Sequence, residues 1–238
     1  MILTVSYASE KIATESYARL VETMVTDPCE VVLFDNHYPL NRKYFMVELC
    51  EKYGFLYNSF GKNIGAYDAY NYLLGLCEAR KAILYEGDNF PIQKDWHIAA
   101  LKVIGGGFVM STLRNKTSYR EMDERGFTVK EINGVACRMP LHAVTNTIGA
   151  IDVPYFRQIG GFAGGKYYGG GEISMWDYLK DRWVFLDAYE DDREKFTHDW
   201  QYSQYKLLHA HRGMDMSFED YLATKPILIE NLANSIFT

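Results

Sequence analysis

The feature that most constrains this chain is a rhythm in its first half. Four short apolar runs, at residues 2–6, 30–34, 55–60 and 82–85, are separated by longer segments with helical spacing. Runs of this kind build strand–helix units, and such units bury their strands in a mainly parallel twisted sheet flanked by helices. Residues 9–25 set Ile12, Tyr17, Leu20, Val21 and Met24 at near-helical spacing, and Asp27-Pro28 stops the helix. Residues 44–52 supply a second helix. Residues 65–79 supply a third, with Tyr67, Tyr70, Leu73, Leu74 and Cys77 at its apolar positions. At about 150 residues per domain, the 238 residues predict a single α/β domain.

The second half is less regular. Residues 114–133 carry many charges and weak periodicity, which predicts a loop or excursion without regular structure. Residues 144–153 read as a strand, 154–159 as a short helix and 172–183 as a further helix, with seven glycines between Gly160 and Gly171. Ser217-Phe218-Glu219-Asp220 has the form of a capping box for a final helix through Ala223, which Pro226 interrupts.

Composition narrows the class. Hydrophobic residues at 48% against charged residues at 24% supply a core and exclude a disordered or low-complexity chain. A formal charge of −6 excludes a broad phosphate-neutralising surface. Cys29, Cys50, Cys77 and Cys137 form no Cys-x-x-Cys pair, so neither a zinc module nor a disulfide scaffold is suggested. No apolar run approaches the roughly 18 residues that span a bilayer, and the chain opens on a strand with no basic leader, so a cytoplasmic protein without a membrane span is expected. The 19 tyrosines and 13 phenylalanines suit cores, sugar-stacking faces and interfaces alike.

Four clusters carry residue types suited to chemistry. Asp35-Asn36, at the end of the second strand, can hydrogen-bond a ribose or base edge, or simply form an Asx turn. Gly61-Lys62-Asn63-Ile64-Gly65-Ala66 opens a helix whose free N–H groups suit an anion, with Lys62 adding positive charge. Glu86-Gly87-Asp88 puts two carboxylates on the turn after the fourth strand, at the carboxyl edge where such sheets bind ligands. Hard cations such as magnesium or manganese take carboxylate oxygens there, and His198 is a candidate third ligand; the alternative is a solvated acidic turn. Gly169-Gly170-Gly171-Glu172 places a carboxylate at a helix start behind glycines, as a general base, hydroxyl clamp or electrostatic stabiliser, or as an ordinary helix-terminal charge. The Gly-x-x-x-x-Gly-Lys spacing from Gly160 to Lys166 is not a phosphate loop, because Tyr167 stands where Ser or Thr must meet magnesium. Lys206, His209, His211 and Arg212 form a basic patch that suits an anionic acceptor or a solvated helix end.

The order of these clusters resembles the nucleotide-sugar glycosyltransferases of the GT-A fold, the family-2-like group above all, over residues 2–198. The segments "GKNIGAYDAYNYLL", "ILYEGDNFPIQKDW" and "IGGFAGGKYYGGGE" carry the likeness. The resemblance implies a Rossmann-like nucleotide-sugar-binding half over residues 1–110, an acceptor-binding half over 111–200 and a helical tail over 201–238. Thr4, Ser6, Asp35, Asn36, Lys62, Asn63, Gly65, Asp68 and Gly87 would hold the nucleotide sugar. Asp88, Glu86 and His198 would hold Mn2+ or Mg2+, and Trp96, Gly170 and Gly171 would meet the acceptor. Glu172 would be the catalytic carboxylate. Because Ile173 follows it, where many inverting relatives carry Asp, the resemblance leaves inverting and retaining transfer both open. The implied activity is metal-dependent transfer from a nucleoside-diphosphate sugar, a UDP-sugar first, to a hydroxyl of a glycan, small molecule, protein or modified nucleic-acid base. A nucleotidyltransferase or sugar-nucleotide pyrophosphorylase, and a non-catalytic sugar-nucleotide-binding module, are the competing readings.

Overall fold

The structure, a computed structural model, describes residues 1–39, 41–113, 122–142, 148–162 and 178–186. The first half follows the expected rhythm: β1 (Ile2–Ser6), α1 (Glu10–Thr23), β2 (Val31–Asp35), α2 (Phe45–Tyr53), β3 (Leu56–Ser59), α3 (Ala66–Leu76) and β4 (Lys81–Glu86). Local chemistry sets the boundaries. Ser9 caps α1 by accepting the Ile12 N–H, and Gly54 ends α2 in the left-handed conformation at φ 71°. Helix α3 stops at Leu76, short of residue 79, because Cys77 turns extended.

Next come α4 (Trp96–Val103), β5 (Met110–Leu113), β6 (Phe127–Ile132), β7 (Val135–Pro140), β8 (Ile148–Asp152), α5 (Val153–Gln158), a 3-10 turn (Lys180–Arg182) and β9 (Trp183–Leu186). Two expectations are corrected. Part of the charged stretch 114–133 is a strand, because Asn133 at φ 52° and Gly134 at φ 75° make the tight turn that folds β6 onto β7. Trp183 opens β9 instead of closing a helix, and its indole N–H donates to Thr112 Oγ1 at 2.6 Å inside the sheet. The strand expected over 144–153 is β8 from Ile148 onward, and the short helix is α5, capped by Asp152 with Pro154 in its first turn.

Among the described residues the strands form one nine-stranded sheet in the order β3-β2-β1-β4-β8-β5-β9-β7-β6. The first four are mutually parallel. Beyond them β8 runs antiparallel to both β4 and β5, β5 and β9 are parallel, and β7 and β6 add antiparallel pairs. One core layer lies under α1, α2 and α4, around Ile12, Tyr17, Leu20, Leu49 and Trp96; the other lies under α3 and α5, around Tyr70, Leu73, Val153 and Phe156. Among the described residues no helix is long and apolar enough to cross a membrane.

Candidate functional site

Parallel strands deliver their carboxyl ends to one edge, and here the register is tight. Ser6 stands opposite Asp35, Asp35 opposite Ser59, and Glu86 beside Val5. The ladder continues past the strands: Asn36 N donates to Ser6 O at 2.9 Å and Gly87 N to Val5 O at 3.0 Å. Asp35, Asn36, Ser59, Glu86 and Gly87 therefore form a single rim.

At β2, Asp35 is buried and its oxygens accept the His37 N–H at 2.9 Å and the Tyr57 O–H at 3.2 Å. Ser59 Oγ donates to the Asp35 carbonyl at 3.1 Å, so it accepts from His37 Nε2 at 2.9 Å, which puts the imidazole proton on Nε2. Burial, then the Asp35 charge, raises the Tyr57 phenol above its ordinary range. The same two causes, in the same order, push the Cys50 thiol up to about 12, which makes it a packing group and no nucleophile.

The α3 entrance is tied to this rim. The buried Asn36 accepts the Ile64 N–H at 2.9 Å, and Asn63 Oδ1 accepts the Gly65 N–H at 2.7 Å. Gly65 sits at φ 91°, a conformation that favours glycine, immediately before the helix. Lys62 is exposed beside it, and Asp68 lies half-buried in the first turn. Tyr7, just past β1, hydrogen-bonds Asn63 and meets Tyr38 edge-on at 5.4 Å; burial raises its phenol despite the Asn63 bond.

At β4, Glu86 and Asp88 are half-buried and flank a buried Gly87. A Cβ on Gly87 would lie 2.6 Å from Ser6 Oγ and 2.9 Å from the Tyr17 hydroxyl, so this position needs a glycine for close approach. Tyr70, fully buried on α3, has its phenol raised well above the usual range, first by burial and then by the charges of Glu86 and, further down, Asp88. Two hard carboxylates at a strand end suit Mn2+ or Mg2+, with further oxygens left to a diphosphate and water. Among the described residues no three His, Cys, Asp or Glu side chains converge to hold a metal. His198, Glu172, Gly170 and Gly171 lie outside the described residues, as do the 201–238 tail and the Lys206–Arg212 patch.

Two expected ligand contacts are corrected. Trp96 is 1% exposed and gives its indole N–H to Thr23 Oγ1 at 3.0 Å; it stands in the core under β4 and offers no ring face to an acceptor. Thr4 is fully buried in mid-strand with its hydroxyl against Tyr17 OH at 3.0 Å, so it braces β1 on α1 and does not reach the rim. Ser6, also buried, contributes its carbonyl to the ladder and its side chain to the floor beneath Gly87. The sequence reading missed Tyr7, Tyr57, Ser59 and His37, which share the rim. A polar residue one to three positions past a predicted parallel strand is the signal that finds Tyr7 and His37, whereas Tyr57 and Ser59 lie inside β3.

No protein-family model matches the chain, and no curated protein matches it in sequence. Solved structures do match in fold. A mannosyltransferase from Pyrobaculum calidifontis in complex with GDP-Man and Mn2+ superposes with a TM-score of 0.61 at 13% identity, covering 87% of this chain and 61% of that one. S. aureus TarS 1-349 in complex with UDP gives 0.56 at 16% identity over 92% and 67%. GalNAc-T7 with UDP, GalNAc and Mn2+ gives 0.56 at 12% identity over 80% and 42%. This chain thus spans about three fifths of the mannosyltransferase and two thirds of TarS 1-349. The shared architecture, four parallel strands continued by a mixed sheet, is the GT-A fold, and this chain has it.

Proposed function

We propose that this chain transfers a sugar from a nucleoside-diphosphate sugar, a UDP-sugar first, to a hydroxyl acceptor. The observation that carries the reading is the rim itself: Asp35 and Asn36, the Asn63–Gly65 helix entrance and the Glu86–Asp88 turn share one sheet edge in a GT-A fold. Asp35 and Asn36 would hold the nucleoside, and Lys62 with the N–H groups entering α3 would attract the diphosphate. Asp88 and Glu86 would hold a divalent cation, whose charge offsets that of the departing diphosphate as the anomeric carbon becomes electron-poor. Their hard carboxylate oxygens, half-buried on either side of Gly87, fit such an ion. Glu172, by its place in the sequence, is assigned to the acceptor side, as proton acceptor in an inverting transfer or stabilising anion in a retaining one.

Incubation with UDP-, GDP- and dTDP-sugars, with Mn2+ or with EDTA, tests the proposal. Slow release of free sugar that requires metal and prefers one nucleoside is the expected result. Tight binding with no turnover would instead identify a binding module, and synthesis of sugar nucleotide from a nucleoside triphosphate and sugar phosphate would identify a nucleotidyltransferase. Asp88→Ala is expected to cut turnover by about a hundred- to a thousand-fold with the circular-dichroism spectrum intact; wild-type turnover would remove the carboxylate from the mechanism.

A further inference from the structure

The acidic turn is held by an unusual set of buried hydroxyls. Asn89, fully buried, closes the turn by donating both its backbone N–H, at 3.1 Å, and its side-chain Nδ2, at 3.3 Å, to the Glu86 carbonyl. The Asn89 carbonyl in turn accepts the Tyr85 O–H at 2.7 Å. Tyr85 therefore reaches back over the turn that follows it and grips its far end. A carbonyl only accepts, so the Tyr85 proton points at Asn89, with the Ser16 carbonyl at 3.0 Å sharing it; the Ser16 hydroxyl at 2.9 Å is then the donor to the Tyr85 oxygen. From the opposite face of the sheet, Tyr70 on α3 donates to the Tyr85 carbonyl at 2.9 Å. The residue that precedes the two carboxylates is thus fixed at its backbone by one helix and at its side chain by another.

Packing alone does not call for this arrangement. Tyr85 is completely buried between Tyr17 and Trp96, with ring centroids at 6.0 and 6.4 Å, and a phenylalanine would fill the same space with no hydroxyl to satisfy. What the hydroxyl adds is a fixed height for Asn89 and, through the two hydrogen bonds that Asn89 donates to the Glu86 carbonyl, a fixed backbone path for the turn that carries Glu86 and Asp88. Metal-binding carboxylates need placement within about half an ångström, and their orienting partners commonly set affinity.

We infer that Tyr85, steadied by Ser16 and acting through Asn89, is a positioning residue that sets the spacing of the Glu86 and Asp88 carboxylates for a divalent cation. The inference rests on the reading that this pair binds metal. In Tyr85→Phe, affinity for Mn2+ alone and for UDP in Mn2+ is expected to fall roughly three- to tenfold, the size of one lost neutral hydrogen bond. UMP binding in EDTA stays at the wild-type value, while the melting temperature falls by a few degrees because the buried Asn89 carbonyl loses its donor. Ser16→Ala combined with Tyr85→Phe adds little to Tyr85→Phe alone, since both act through one relay. An unchanged Mn2+ affinity, or an equal loss of UMP binding in EDTA, overturns the inference. Hydrogen exchange separates it from the fate of the proposed function. Should the wild-type protein bind neither Mn2+ nor UDP, the proposed function and the metal role of Tyr85 both fall, and faster exchange confined to amides 87–90 in Tyr85→Phe shows only that the hydroxyl holds the turn; where the wild type does bind Mn2+, unaltered exchange overturns the inference alone.

Discussion

Gly87 shows how one residue type can be dictated by its neighbours and not by its own conformation. It is flanked by Ser6 Oγ and the Tyr17 hydroxyl where a side chain would begin, and the Ser6 Cβ stands only 3.0 Å away. Neither neighbour yields easily, because Ser6 is locked in β1 and Tyr17 is buried and paired with Thr4. Gly87→Ala is expected to cost about 1–3 kcal/mol by overpacking, a melting temperature lower by roughly 3–10 °C, and to weaken metal-dependent nucleotide binding further by tilting the turn. Differential scanning calorimetry and titration with UDP in Mn2+ measure the two effects, and Ser6→Gly on the same chain restores part of the first. At this scale the acidic pair was legible in sequence, since carboxylates past a strand end announce a ligand edge. The fates of Thr4 and Trp96 were not: a hydroxyl and an indole look the same in a sequence whether they face a ligand or a buried partner.

Helix α3 is the element that joins the parts of the site. Its entrance is fixed by Asn36 and Asn63, its middle reaches the acidic turn through Tyr70, and on the next residue Asn71 clasps the chain at Phe162. Asn71 Nδ2 donates to the Phe162 carbonyl and Asn71 Oδ1 accepts the Phe162 N–H, both at 2.8 Å. Gly161 must approach this amide so closely that a Cβ would run into Asn71 Oδ1, and its φ of 78° favours glycine as well. Phe162 itself packs on Tyr67, Tyr70 and Phe156. Asn71→Ala leaves two backbone groups without these bonds and is expected to cost about 1–3 kcal/mol, read as a lower urea midpoint at unchanged slope. Wild-type stability of that variant would show that water replaces the clasp. The helix was legible from its apolar spacing, yet nothing local to Asn71 signals a partner 91 positions away.

Among the described residues, strand pairing joins the first part of the chain to the second, and the Arg157 cation adds to it. β8 binds β4 on one side and β5 on the other, and Arg157 on α5 closes over the end of α3. Its guanidinium donates to the carbonyls of Leu74 at 2.6 and 3.1 Å, Gly75 at 3.3 Å and Cys77 at 2.5 Å, the groups a helix leaves unpaired at its negative end. Arg157→Ala is expected to lower stability by about 1–2 kcal/mol while leaving metal-dependent UDP binding intact. In the wild type, tryptophan fluorescence and far-ultraviolet circular dichroism should trace one coincident unfolding curve, because a continuous sheet leaves no seam at which the halves part. Two separated curves would place a boundary at β8.

The sequence by itself determined the strand–helix alternation of the first half, the sheet edge at which the polar strand ends gather and the acidic turn that ends β4, because periodicity and strand-end polarity are local properties of a chain. The tertiary structure decided the rest. The β6–β7 hairpin, the place of β9 inside the sheet, the burial of Trp96 and the hydroxyl floor under Gly87 each depend on partners distant in sequence, and only packing brings those partners together.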